Sequence, residues 1–155
     1  MREKTSGELS PLVATILNNL SGLYYARSEY EQVLPLLKRS LAIREKTLGK
    51  YHPQVSTSLN NLAEFYRIQG KYKKTLPLYK HSLTIDEKVY GKNHPDIAIG
   101  LKNLAFLYSE QGKYKQALPL YERALSILQN IFDEQHSDMQ LIKRNYEVCL
   151  SKAGL

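Results

Sequence analysis

An all-α solenoid built from antiparallel helix pairs is the fold class this sequence predicts, and three observations predict it. The 155-residue chain repeats itself every 42 residues: segments 8–49, 50–91 and 92–133 each match their neighbour at 19 of 42 positions. Apolar residues inside each segment keep the 3.6-residue spacing of a helix face. Glycine and proline recur at fixed places, where such helices would stop and start. Hydrophobic content of 43% and charged content of 24% are those of a folded chain with a core, not a disordered one. The opening stretch "MREKTSGELSPLVATILNNL" spaces its apolar residues as a helix does and not as a secretion signal does. No apolar run approaches the roughly 18 residues that a membrane span needs.

Taken in order, residues 1–7 read as the remnant of a preceding helix, because "REKTSG" at 2–7 repeats "REKTLG" at 44–49. Three repeats follow, 8–49, 50–91 and 92–133, and residues 134–155 match the first half of a fourth as a closing helix; together they read as one domain. In the middle repeat the first helix is expected over 53–69. Its buried stripe is Val55, Leu59, Leu62, Ala63 and Tyr66, and Pro53 sits in the first turn, where a missing amide donor costs nothing. Gly70 and Gly112 are expected to end first helices, since glycine enters the left-handed cap conformation freely. The second helix is expected from Tyr72 to Tyr90, burying Tyr72, Leu76, Tyr79, Leu83 and Ile85 and stopping at Gly91. Pro35, Pro77 and Pro119 lie about a turn inside the second helices, which predicts a late helix start or a slight bend. A helix pair of this size cannot cover its own apolar stripe, so neighbouring pairs must stack into a continuous core.

The segment "LAFLYSEQGKYKQALPLYERAL" (104–125) resembles the tetratricopeptide repeat. Leu104, Ala105, Tyr108, Gly112, Tyr114, Ala117, Tyr121 and Ala124 stand where that family places its large and small signature residues. The usual unit has 34 residues. Here it is 42 residues long, with a longer second helix, a "GK-x-HP" joint and the words "NNLA" and "PLY". That long form is similar to the repeats of kinesin light chains and of bacterial proteins that share them, and the match extends over practically the whole chain. Ser28 replaces the turn glycine of the first repeat, Val33 and Thr75 replace the small residue at Ala117, and Asp133 replaces the terminal glycine. The resemblance implies a right-handed superhelix whose first helices line a concave, ligand-receiving face, and a scaffold, not an enzyme.

Chemistry is hard to place elsewhere. His52, His94 and His136 recur at repeat spacing, yet zinc ligands must meet about 2 Å from one centre, while stacked helices lie on the order of 10 Å apart. These histidines are expected to cap helix starts. His136-Ser137-Asp138 holds triad letters, but adjacent residues cannot converge as a triad does. There is no phosphate-binding glycine loop, no H-E-x-x-H and no CxxC, so neither a catalytic centre nor a metal or organic cofactor is expected. Cys149 is the lone cysteine, which fits a reducing, cytoplasmic setting, and the sequon Asn19-Leu20-Ser21 reads as helix sequence.

The face opposite the core carries the functional expectation. On the first helices it holds Thr15, Asn18, Asn19, Gly22, Tyr25 and Ala26; then Thr57, Asn60, Asn61, Glu64, Arg67 and Ile68; then Ile99, Lys102, Asn103, Phe106, Ser109 and Glu110. One column never varies: Asn19, Asn61, Asn103 and Asn145. An asparagine amide both donates and accepts, as an extended peptide backbone does, so this column is a candidate peptide grip; the alternative is a tether between neighbouring helices. Around it Lys102, Arg67 and Arg144 are candidates for acidic groups, Phe106 and Tyr25 for apolar ones, with Asn18 and Asn60 beside them.

The net charge of +7 is concentrated in the middle repeat, around Lys71, Lys73, Lys74, Lys80 and Lys88, and forms no continuous basic stripe with stacking aromatics, so nucleic acid is a poor fit. The expected function is therefore a non-catalytic scaffold for a protein partner, holding an extended or acidic-apolar peptide in the concave groove. Two alternatives stay open: a structural spacer or sensor module of a larger regulatory protein, with its partner on the basic turn of the second repeat. Self-association through the open array ends is a further expectation, and contact with membranes is not expected.

Overall fold

The computed structural model describes residues 10–131, 133 and 136–155. Among these, seven α-helices follow one another: α1 (Pro11–Ala26), α2 (Val33–Leu48), α3 (Pro53–Ile68), α4 (Tyr72–Tyr90), α5 (Pro95–Glu110), α6 (Tyr114–Gln129) and α7 (Ser137–Lys152), with a 3₁₀ turn at Tyr30–Gln32 before α2. Each repeat read from the sequence is thus one helix pair, and α7 follows them. The remnant at 1–7 lies outside the described residues. The chain forms two compact units, Met1–Ile85 and Asp86–Leu155, the break falling within α4.

Helix starts and stops follow local chemistry. Pro11, Pro53 and Pro95 open their helices, and His52, His94 and His136 are N-caps: each Nδ1 accepts the amide two residues on, at 3.1, 3.1 and 3.3 Å. Ser10 does the same for α1 at 3.1 Å. The first-type helices end in one repeated motif. Gly70, Gly112 and Gly154 take positive φ of 75°, 76° and 81°, and the amide after each reaches back to Tyr66, Tyr108 and Leu150 at 2.9, 2.8 and 3.0 Å, closing a Schellman cap. In the first repeat Ser28 adopts the same conformation, φ 61°, and Glu29 N–H completes the same bond to Tyr24. Of the two outcomes expected of the prolines, a late start is seen in α2, which begins at Val33; α4 and α6 begin at Tyr72 and Tyr114 and continue past Pro77 and Pro119.

In the N-terminal unit α2 packs on α1 and on α3. Ala14 and Leu17 of α1 meet Ile43 of α2; on its other side Val33 and Leu37 meet Leu62, Phe65 and Tyr66 of α3; and Val55 and Leu59 of α3 cover Ile85 of α4. The predicted stripe of α3 is buried throughout, as are Tyr79, Leu83 and Ile85; Tyr72 and Leu76 are half-buried. Each large apolar side chain so buried contributes roughly 1.5–3 kcal/mol. In the C-terminal unit α6 takes the central place between α5 and α7, burying Ala117, Leu118, Tyr121, Leu125, Ile127 and Leu128.

Small residues set the closest approach within a pair. The pairs Ala14 with Ser40, Ser56 with Ser82 and Ala98 with Ala124 recur one repeat after another, and their members are no more than 3% exposed. Where serine stands, its hydroxyl is used: Ser40 donates to the Ala14 carbonyl at 2.8 Å, and Ser56 and Ser82 hydroxyls lie 2.6 Å apart.

Candidate functional site

Each unit holds a hollow between two first-type helices. In the N-terminal unit it measures about 280 Å³. Asn18, Gly22 and Tyr25 of α1 form one wall, Asn61, Glu64, Phe65 and Ile68 of α3 the other, and Val33 and Leu37 of α2 the floor. In the C-terminal unit the hollow is about 250 Å³, with Phe106, Ser109 and Glu110 of α5 facing Arg144, Asn145, Val148, Cys149 and Lys152 of α7 above Tyr114 and Tyr121 of α6. These are the same site seen twice. Gly22 and Phe106, Tyr25 and Ser109, Leu37 and Tyr121, Asn61 and Asn145, Phe65 and Cys149 are pairs at equivalent repeat positions.

The structure therefore brings Asn18, Tyr25 and Asn61 together in one hollow and Phe106, Arg144 and Asn145 together in the other. Asn19, Asn60, Lys102 and Asn103 line neither. Asn19 and Asn61 are exposed, Asn60, Lys102, Asn103 and Asn145 half-buried. Among the described residues, no side-chain hydrogen bond ties any member of the invariant asparagine column to a neighbouring helix.

Asn18 differs from that column. With its amide turned to suit its neighbours, its oxygen accepts from the Arg44 guanidinium at 2.9 and 3.3 Å and its nitrogen donates to Ser40 Oγ at 3.0 Å. Arg44 is 5% exposed; it also donates to the Gln54 carbonyl at 3.2 Å, Ser58 Oγ at 2.8 Å and Thr15 Oγ1 at 3.3 Å. All of these acceptors are neutral. Burial accordingly lowers the pKa of the guanidinium, since water is lost and its hydrogen-bond partners bring no negative charge to offset that loss. Arg44 was not visible as a site from sequence, although the signal exists: its equivalents one and two repeats on are Asp86 and Leu128, a charge in a core column.

Arg67, expected to face acidic ligands, is already engaged. Its Nε and Nη2 donate to the two Glu64 oxygens at 2.9 and 2.6 Å, and Tyr79 Oη donates to Glu64 Oε2 at 2.8 Å. Burial first, then the Glu64 carboxylate, raises the Tyr79 pKa. The first hollow is thus electrically quiet, with Tyr25 turned edge-on to Phe65 (centroids 6.5 Å apart) and 5.3 Å from the Tyr30 ring. The second is different. Arg144 and Lys152 are exposed cations on its α7 wall, while Phe106 at 38% exposure offers an apolar surface opposite. Its floor residue Tyr121 and wall residue Cys149 are buried, 1% and 2% exposed; Ser109 Oγ lies 3.7 Å from Cys149 Sγ, and burial pushes the Tyr121 phenol up to about 12.

Among the described residues, no group of three His, Cys, Asp or Glu side chains converges on a metal position, and no helix is long and apolar enough to cross a membrane.

The family model for the tetratricopeptide repeat matches residues 12–69 and 54–130. Among curated proteins none matches the chain in sequence. Among solved structures, BtubC (BKLC) from P. vanneervenii is similar with a TM-score of 0.85 at 24% identity, over 94% of this chain and 58% of that one. A putative kinesin light chain with nearly identical repeats from Podosopora anserina gives 0.78 at 23% identity, over 94% and 69%. The Sgt2 repeat domain of Aspergillus fumigatus gives 0.63 at 21% identity, over 91% and 79%. At these identities the likeness is one of fold, and the chain spans 58% of the length of the BtubC chain.

Proposed function

The chain belongs to the tetratricopeptide repeat family, its fold that of the kinesin-light-chain-like members, and on that premise we propose that it is a non-catalytic scaffold that holds a protein partner by an extended peptide segment. The single observation that carries this reading is the recurrence of one hollow in both units, each with an apolar floor and with Asn61 or Asn145 on the wall. A buried apolar floor takes a side chain, and an amide with both donor and acceptor takes the backbone beside it. The first hollow, where Glu64 and Arg67 neutralise each other, suits an apolar side chain. The second, with Arg144 and Lys152 on one wall, suits an apolar side chain flanked by carboxylates.

The experiment is a random peptide display selection against the full chain, with hits retested on variants. Phe106→Lys and Arg144→Glu are expected to weaken the selected peptides about tenfold or more, and reversal of Lys71, Lys73 and Lys74 to leave them unchanged. Peptides that lose affinity only when the lysine turn is reversed would place the partner on that turn and overturn the groove reading.

A further inference from the structure

Gly22 stands inside α1, where glycine weakens a helix more than any residue but proline. Nothing in the fold asks for it. Its backbone is helical, unlike that of Gly70 and Gly112, whose positive φ closes the helix ends. A Cβ at this position would have no neighbour within 4 Å among the described residues, so no packed element leans on the bare backbone. At the equivalent places of α3, α5 and α7 stand Glu64, Phe106 and Val148. The space that Gly22 leaves belongs to the first hollow, whose wall it forms together with Tyr25 and, across from them, Phe65. Those two rings stand at 79° to each other, over a floor of Val33 and Leu37 that is 3% and 4% exposed.

We propose that Gly22 is the specificity-determining residue of this hollow: its missing side chain makes room for an aromatic side chain of the partner peptide, laid flat on the α1 backbone. The inference deepens the scaffold reading above and takes from it only that the hollow receives a side chain. Three features select a ring as the occupant. A bare stretch of helix is a flat surface, which a planar group covers more fully than a branched one. Tyr25 and Phe65 already pair edge to face, and a third ring beside them extends that arrangement, in which rings attract beyond the area they bury. The floor is apolar and Glu64 is already engaged by Arg67 and Tyr79, so a charged side chain entering here would lose water for little return. In the second hollow the chain's own Phe106 ring stands at the position of Gly22. A seat for a partner's ring is thus a property of the first.

The probes are N-acetylphenylalaninamide and N-acetylleucinamide, a ring and an aliphatic chain of similar hydrophobicity. Each is titrated into the isotope-labelled full chain and followed by the backbone amide resonances of Tyr25 and Asn61. The phenylalanine amide is expected to bind with a Kd of about 1–10 mM, and the leucine amide at least about fivefold more weakly. Gly22→Leu is expected to abolish the response with a melting temperature no lower than that of the wild type, and Gly22→Ala to raise melting by about 2–4 °C. No response to either amide, equal binding of the two, or a Gly22→Leu chain that responds as the wild type does overturns the proposal. So does a Gly22→Ala chain that melts lower, because the fold would then need the glycine. Selected peptides that depend on Phe106 and Arg144 while the amides ignore Gly22 would end this inference and leave the groove reading standing. A ring seated at Gly22, in a chain whose selected peptides follow only the lysine turn, would do the reverse.

Discussion

Asn61 and Asn145 occupy the same place on the walls of two separate hollows, two repeats apart in the sequence. Neither amide makes a hydrogen bond among the described residues, so removing it takes nothing from the fold. Asn61→Ala and Asn145→Ala are expected to leave the melting temperature within about 1 °C, while each weakens a selected groove peptide by about 1 kcal/mol, roughly fivefold. Paired melting and titration measurements decide the point. A fall of several degrees with unchanged affinity would make these asparagines struts.

Ser28 holds φ 61° in a turn where Gly70 and Gly112 serve the later repeats. A side chain with a Cβ resists this region by roughly 1–2 kcal/mol, part of which glycine returns as unfolded-state entropy. Ser28→Gly is expected to stabilise the chain by about 0.5–1 kcal/mol, read as a higher denaturation midpoint in urea. Gly70→Ser should move it the other way by a similar amount. Opposite signs at the two positions are the diagnostic; like signs would show that local backbone strain does not govern this turn.

Arg44 joins α2 to both flanking helices through neutral acceptors only. Its loss leaves Ser58, the Gln54 carbonyl and Asn18 without their donor in a buried setting. Arg44→Ala is expected to cost about 2–4 kcal/mol. Arg44→Lys should restore only part of it, because an ammonium cannot reproduce the fork. Equilibrium unfolding of both variants measures the difference, and a lysine variant as stable as wild type would show that charge alone suffices.

The Tyr121 phenol, buried beneath the second hollow, is pushed from 10.0 to about 12. The unfolded chain releases this proton first. Stability is therefore fully present below pH 10 and is lost as pH rises from 10 toward 12. Burial of Tyr79 acts in the same sense. Denaturation midpoints taken on either side of pH 10 should fall steeply for the wild-type chain and less steeply for Tyr121→Phe. An equal slope in the variant would remove Tyr121 from the account.

Much of the fold was legible because its determinants are local. Pro53, Gly70 and His52 act within a turn of where they stand, and the stripe of Val55 to Tyr66 needs only helical spacing. The site was half legible. The repeat picked out Asn61 and Asn145, but a leucine or tyrosine in a core column, such as Leu37 or Tyr121, reads the same whether it is covered or floors a hollow. Arg67 read as an outward cation, although Glu64 three residues earlier on the same face was the available sign of their pairing. Asn18 read as a groove residue beside the invariant column; its engagement is made by Arg44, whose approach depends on how α2 seats between two helices. Pro77 and Pro119 left two outcomes open, a late start or an interior proline, and α4 and α6 take the second.

The small pairs that seat one helix on the other (Ala14 with Ser40, Ser56 with Ser82, Ala98 with Ala124) lie on faces that the hollows do not use. Helix seating and the walls of the hollows are thus written in separate letters of the same helices. Gly22, Glu64, Phe106 and Val148 already show four different dressings of one wall position. A protein engineer has leave to alter such positions freely, and so does natural variation, drawing new specificities from a frame that need never be rebuilt.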